Sequence, residues 1–494
     1  MRTRAIVLAG LGVLATLPSA TGPAGARTRS CPGWGRPAVA ADPRPHALRV
    51  FAIQFAQHPA QMRSAADYAG AVDCAIRAEV LPHLARGRPN LVVFDEDIGL
   101  ETIAIGPRGA AARAELRHGS PSCRGAPLCP TLRTLAALAV GYRRALDYLT
   151  PRLPALRSEL GRTFVAATDE FVRVFMTTMA RAARRYHLYV IASNTQARFR
   201  VSRTGTAIRA LADPGAPRPR IVYVPASAAA YDQTFVWSPR ILHPGEPAPL
   251  ANLMADNLKV PLTAFEQQLG FASGPSRGPQ ARANLQPIAI PGTRARLGLA
   301  TSLPAFVYGP AARGRECRDV ALTYMRCLNR LGANVLIQAD ANDGQWTGAA
   351  GTGGEPWQPL DWMGSAYRAV SDPSVGFAYA VNSFMVGNLA DIPFDGQSAI
   401  LARGRRGRGC AYVGDRRFVA GTDLAALRAY AGPKPQFLAL APWVVPDAAR
   451  PRLRAIGSAL AAGTGPRHYV QTAVVADLAF PSDRSRPGCL MAGR

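Results

Sequence analysis

The run Leu91-Val-Val-Phe94 is apolar at every position and breaks off abruptly in Asp95-Glu96-Asp97. A strand without a polar face needs cover on both sides, which predicts a buried, helix-covered sheet and excludes a half-solvated one. The surroundings agree. Arg49 to Phe55 reads as an earlier buried strand, and residues 64 to 86 carry apolar positions at helical spacing, so the chain opens as β-α-β. Residues 105 to 130, rich in Gly, Pro and Arg, read as an inserted loop, followed by helical stretches near 131 to 148 and 166 to 186 and a strand from Leu188 to Ala192. A Pro-rich stretch from 213 to 250 reads as irregular. Alternation resumes with a strand from Ala295 to Thr301, a helix over 319 to 331 and a strand from Asn334 to Ala339. Beyond Arg403 to Gly409 lies a tail containing the strand-like Tyr469 to Val475.

Of 494 residues 48% are hydrophobic and 18% charged, which excludes a disordered polyelectrolyte. The net charge of +26 is almost entirely arginine, since Lys259 and Lys434 are the chain's two lysines. These arginines are scattered rather than clustered on one element, so no nucleic-acid partner is expected. Met1-Arg2-Thr3-Arg4, the apolar run Ala5 to Leu17 and Ala24-Gly25-Ala26 form the three-part pattern of a secretory signal peptide, placing the mature protein outside the cell or in its envelope. No later stretch is apolar and long enough to span a bilayer. Cysteines at 31, 74, 123, 129, 317, 327, 410 and 489 form an even set, which favours disulfides in an oxidising compartment. Cys123 with Cys129 and Cys317 with Cys327 are candidate pairs, and the connectivity stays open. The seven histidines lack metal-ligand spacing, so neither a metal site nor a cofactor is expected.

Reactive groups in helix-covered sheets gather where strands end. Glu96 follows such a strand and is a candidate general base, against the alternative of a solvated turn acid. Lys259 stands seven residues before Glu266 and offers a compact charge for an oxyanion, against the alternative of a surface lysine. Ser302 follows the strand Ala295 to Thr301 at a turn, as a nucleophile would, although a serine bonded to its own turn fits as well.

The order of these segments resembles the nitrilase, or carbon-nitrogen hydrolase, superfamily. The matching positions are Glu96, Lys259 with Glu266, and Ser302 after Gly298, in the place of the family's cysteine. Leu331-Gly-Ala-Asn-Val-Leu336, Ala341-Asn-Asp-Gly-Gln-Trp346, Tyr367-Arg-Ala-Val370 and Asp395-Gly-Gln-Ser398 resemble later family segments. The resemblance covers about residues 48 to 402. It implies a four-layer α-β-β-α sandwich with insertions, and an acyl-enzyme reaction on a small amide or nitrile in which Glu96 moves the proton, Ser302 attacks, Lys259 holds the anion and Glu266 positions Lys259. The chain departs from the pattern at Ser302 itself, at Pro304 where an acid is usual, at Asp95 where a proline is usual, and in the length of Ser302 to Gly332. The expected organisation is a signal peptide at 1–26, a linker at 27–47, the hydrolase-like domain at 48–402 with its insertion near 105–130, and a C-terminal extension at 403–494. Two other readings stay open: a catalytically silent protein of this fold with a binding or envelope role, and a basic polyanion-binding module. Homo-oligomer formation is likewise open.

Overall fold

The computed structural model describes residues 31, 33–41, 44–118, 123, 129–156, 160–215, 219–346, 358–389, 392–403, 437–441 and 469–480. The first sheet contains β1 (Ala38–Ala40), β2 (Leu48–Ala56), β3 (Asn90–Val93), β4 (Tyr189–Ser202), β5 (Val222–Trp237) and β6 (Leu253–Leu258). The second contains β7 (Ile288–Ala289), β8 (Arg296–Leu299), β9 (Val335–Asp340), β10 (Tyr379–Leu389), β11 (Ile392–Phe394), β12 (Ala399–Ala402) and β13 (Phe437–Leu440). A last strand, β14 (Thr472–Leu478), returns to the first sheet, antiparallel to β2 and parallel to β1. The sheets join where Met385 and Val386 of β10 pair in parallel with Phe55 and Ala56 of β2.

Side-chain alternation along the strands shows the layering. On β2, Val50 and Ala52 enter a core shared with Val335 and Ile337 of β9, Val381 of β10 and Ile400 of β12, so the two sheets face each other. Phe51, Ile53 and Phe55 point the other way, against helices Ala65–Ala75 and Thr177–Tyr186. Leu336, Ala380 and Leu401 do the same on the far side, against helices Val320–Arg330 and Gln358–Ser371. Helix, sheet, sheet, helix: this is the expected α-β-β-α sandwich. Gly298 on β8 permits close packing of the last layer, because a Cβ there would sit 2.9 Å from Ala333 Cβ and 3.3 Å from Leu328.

Several expectations are corrected. The stretch 213–250 is not irregular, since it holds the sixteen-residue β5, whose alternate residues from Asp232 to Trp237 face opposite sides. The segment 105–130 is not all loop, because it contains the helix Ala110–His118. Residues 27–47 are more than a linker, and 403–494 more than an appendage: β1, β13 and β14 are integral strands. A buried bidentate pair fastens the last of them, Arg49 Nε and Nη2 donating to Asp477 Oδ1 and Oδ2 at 2.7 Å each.

Disulfides join Cys31 to Cys74, Cys123 to Cys129 and Cys317 to Cys327. Residues 1–26, read from sequence as a signal peptide, lie outside the described residues, as do Lys434, Cys410 and Cys489. Among the described residues no helix is long and apolar enough to cross a membrane.

Candidate active site

The strands β2, β3, β4, β6, β8, β9 and β10 run in one direction, and the carboxyl ends of β3, β6, β8 and β9 supply the site. Past β3 the apolar run ends and the chain turns sharply. Asp97 adopts φ 56, a left-handed conformation costly for a residue with a Cβ. Its N–H donates to Ser193 Oγ (2.9 Å) and its carbonyl accepts from Gln57 Nε2 (2.9 Å), which hold it there. The turn aims Glu96 inward, where Oε2 accepts the N–H of Ala341, just past β9, at 2.8 Å.

Lys259 directly follows β6. Its N–H donates to Asp232 O (2.9 Å) and its carbonyl accepts from Gly274 N–H (2.8 Å), so its backbone is fixed on both sides. Its side chain, 3% exposed, places Nζ 2.6 Å from Glu96 Oε1, 2.8 Å from Glu266 Oε1 and 3.3 Å from Asp232 Oδ2. Glu266 is held by a local motif. Thr263 and Glu266 form a reciprocal capping box on helix Ala264–Gln268, in which Glu266 Oε2 accepts from Thr263 N–H (2.7 Å) and Oγ1 (2.8 Å). That leaves Oε1 for the ammonium.

Burial alone would lower the Lys259 pKa. Glu266, Glu96 and Asp232 more than reverse this and hold it well above the ordinary lysine value, so the site keeps its positive charge. The surrounding acids respond oppositely. Burial raises Asp232 well above the carboxylate range against the pull of Lys259, and burial with the nearby Glu96 lifts Asp97 to about 7. Oxygens of Glu96, Asp232 and Glu266 lie within 4.8 Å of one another, a grouping that could hold a metal ion. Here the cation among them is the Lys259 ammonium.

Ser302 is 3% exposed and adopts φ 59, ψ −122, a second strained position at the site. Hydrogen bonds extend the β8–β9 ladder past the strand end to reach it: Ala300 N–H donates to Ile337 O (2.9 Å) and Ser302 N–H to Ala339 O (3.0 Å). Ser302 and Glu96 are therefore fastened to the same end of β9, one at Ala339 and the other at Ala341. Thr301 Oγ1 contacts Thr234 Oγ1 of β5, closing the sheets together beside Asp232. Among the described residues no hydrogen bond links the Ser302 hydroxyl to Glu96 or Lys259.

Sequence reasoning missed Asp232, Asp97 and Asp340. Asp232 lies in the stretch read as irregular, where the alternation toward Trp237 was the available signal. Asp340 ends an apolar strand just as Asp95 does, and the logic that selected Glu96 applied to it equally. It is buried, and Oδ2 accepts from Asn382 Nδ2 (2.7 Å) and Gln338 Nε2 (2.8 Å). Burial, reinforced by Glu96, raises its pKa well above the usual range. A cavity of about 530 Å³ lined by Arg198, Tyr231, Asp256, Leu258 and Asn284, among others, opens nearby. Tyr231 and Leu258 alternate with Asp232 and Lys259, which puts the cavity on the opposite face of the sheet from the charged cluster.

No protein-family model matches the chain, and no curated protein does. Among solved structures, it is similar to a cysteine-to-serine mutant of the amidase from Nesterenkonia sp. AN1, described as belonging to the nitrilase superfamily. Identity there is 14%, the match covers 73% of this chain and 85% of that one, and the TM-score is 0.35. It is also similar to a carbon-nitrogen hydrolase from Helicobacter pylori G27, at 13% identity, 72% and 82% coverage and a TM-score of 0.39.

Proposed function

We propose that the chain is a carbon-nitrogen hydrolase of nitrilase type acting on a small non-peptide amide or nitrile. The observation that carries this reading is the buried Lys259 ammonium, shared by Glu96, Glu266 and Asp232, beside a strained serine on the same strand end. A stability-driven core has little use for four ionisable groups at one point, because removing them from water is costly. A reaction that develops negative charge does have a use for them.

In this mechanism Glu96 accepts the proton of Ser302 Oγ as the oxygen attacks the amide or nitrile carbon. The anion that forms is held by Lys259 and by the backbone N–H of Leu303, next along the chain. With an amide, Glu96 returns the proton to the leaving nitrogen and loss of the amine or ammonia leaves an acyl-enzyme; with a nitrile, the imidate formed first takes up one water before ammonia leaves; in both, a further water deprotonated by Glu96 then releases the acid. Glu266, locked by its capping box, is a positioning residue for Lys259. A hydroxyl is a far weaker acid than a thiol, so Ser302 needs stronger activation than a cysteine at this place. We also propose export by the 1–26 segment, supported by its three-part pattern and by the three disulfides, which suit an oxidising compartment; N-terminal sequencing of the expressed product tests it.

The absence of a hydrogen bond from Ser302 Oγ to Glu96, whose two oxygens are already engaged, favours one second reading: a catalytically silent binding protein of this fold. An amide and nitrile screen separates the two. Hydrolysis that is abolished in Ser302→Ala and preserved or raised in Ser302→Cys supports the enzyme. No turnover by the wild type or by Ser302→Cys supports the binder.

A further inference from the structure

We propose that Asp340 is a positioning residue that fixes the spacing between Ser302 and Glu96. The proposal deepens the hydrolase reading above and rests on it. Ser302 and Glu96 are fastened on either side of Asp340: Ser302 N–H donates to Ala339 O (3.0 Å), and Ala341 N–H donates to Glu96 Oε2 (2.8 Å). Any shift of this strand end therefore moves both partners of the proton transfer. Asp340 is the last residue of β9, where its ladder with β10 ends.

The Asp340 side chain clamps that end. Its Oδ2 accepts from Asn382 Nδ2 on β10 (2.7 Å) and from Gln338 Nε2 on β9 (2.8 Å). Each amide spends its other N–H on a second anchor. Asn382 Nδ2 also donates to Gln338 O (3.1 Å), and Gln338 Nε2 to Ser365 Oγ (2.8 Å), which in turn donates to Trp362 O (2.7 Å) within helix Gln358–Ser371. Ser383, next to Asn382 on β10, bonds to the carbonyls of Ile53 on β2 and Val93 on β3, and the chain runs on from Val93 to Glu96. One connected set of bonds thus ties the strand that leads to Glu96 to the strand end that holds both Glu96 and Ser302.

Stability alone does not account for this cluster. Asp340, Gln338 and Asn382 are fully buried, and Asp340 Oδ1, Gln338 Oε1 and Asn382 Oδ1 have no hydrogen-bond partner among the described residues. Unmatched buried acceptors cost stability, a cost that apolar side chains at the same positions avoid. A rigid spacing between base and nucleophile does have a use for the clamp, because a misplacement of about 1 Å can cost roughly 10²-fold in rate. Burial holds the Asp340 carboxyl well above the ordinary range, so the uncharged amide of asparagine is a close replacement for it.

The test uses the full chain carrying Ser302→Cys, whose new thiol reports on its surroundings without a substrate. Its alkylation by iodoacetamide is followed against pH by mass spectrometry of the peptide that contains it. Added to this parent, Asp340→Ala is expected to slow the reaction at pH 7 by about tenfold or more and to move its pH profile upward. Asp340→Asn, which keeps an oxygen for both amides, should stay within about threefold of the parent. Glu96→Gln in the same background separates the proposal from the reading it rests on. If the parent thiol is unreactive, or reacts alike with Glu96→Gln, the hydrolase reading falls and the proposal with it. If Glu96→Gln slows the reaction while Asp340→Ala leaves it unchanged or faster, the proposal alone falls. It falls as well if Asp340→Asn is as slow as Asp340→Ala. Should thermal unfolding show that Asp340→Ala does not fold, Asn382→Ala takes its place by removing the shorter clamp: slowing supports the proposal, and the parent rate overturns it.

Discussion

Replacing Lys259 by Met keeps the length of the side chain and removes the charge that three carboxylates share. Asp232 then has no donor on either oxygen, Glu96 keeps the Ala341 N–H, and Glu266 keeps the Thr263 N–H and hydroxyl on Oε2. Leaving a buried charge without its partner costs about 3–5 kcal/mol. The variant has one relief: a carboxyl can take up a proton in place of the lost ammonium. For a glutamate of reference pKa near 4.3 that uptake costs roughly 1.36 kcal/mol per pH unit, or about 3.7 kcal/mol at pH 7 and about 1 kcal/mol at pH 5. The sign follows: the proton is nearly free at low pH, so the variant's deficit grows as pH rises. Lys259→Met should thus be less stable than the wild type by roughly 3–4 kcal/mol at pH 7, recovering to about 1 kcal/mol at pH 5. Denaturant unfolding of both proteins at pH 5, 6 and 7 measures this. A deficit that stays the same across that range would refute the reasoning, because the ammonium would then not be the neutralising charge. If the hydrolase reading holds, the same variant should also lose about 10²–10³ in kcat, as when one oxyanion donor is removed.

Glu79 is buried against β14, where Oε2 accepts the N–H of Ala473 at 2.9 Å, and burial raises its pKa to about 7. A carboxyl raised in the folded state favours folding most below its unfolded value and loses that contribution as pH climbs toward 7, so Glu79→Gln should flatten the stability profile between about pH 4.5 and 7; an unchanged slope would count against it. The Cys31–Cys74 and Cys317–Cys327 bridges span 43 and 10 residues. Chain entropy assigns them about 4 and about 2.7 kcal/mol, so a double serine variant of the first pair should melt at the lower temperature of the two. Equal melting temperatures would contradict the entropic account.

Much of the layering was legible because local chemistry and global fold agree here. Leu91-Val-Val-Phe94 has no polar face, so it must be covered twice, and an acid placed directly after it must lie at a strand mouth. Thr263-Ala-Phe-Glu266 writes its own capping box, which fixes Glu266 within four residues of chain. Lys259 was noticeable because nearly every other cation is arginine.

Tertiary structure alone decided the rest, because those features depend on contacts between residues far apart in the chain. That Asp232 joins Lys259 depends on β5 pairing with β6, and the Pro- and Ala-rich approach to β5 conceals a strand from any local reading. The tail becomes part of the first sheet only because β14 finds β2 and Arg49 finds Asp477, 428 residues away. The charge state of the site belongs to the same class. No local pattern specifies that one ammonium is held above its normal pKa while Asp232, Asp97 and Asp340 are pushed above theirs, since each shift is the balance of burial against neighbours supplied by both sheets. Sequence determined which residue types stand at the ends of strands; the packing of two sheets determined which of them meet, and so which carry charge.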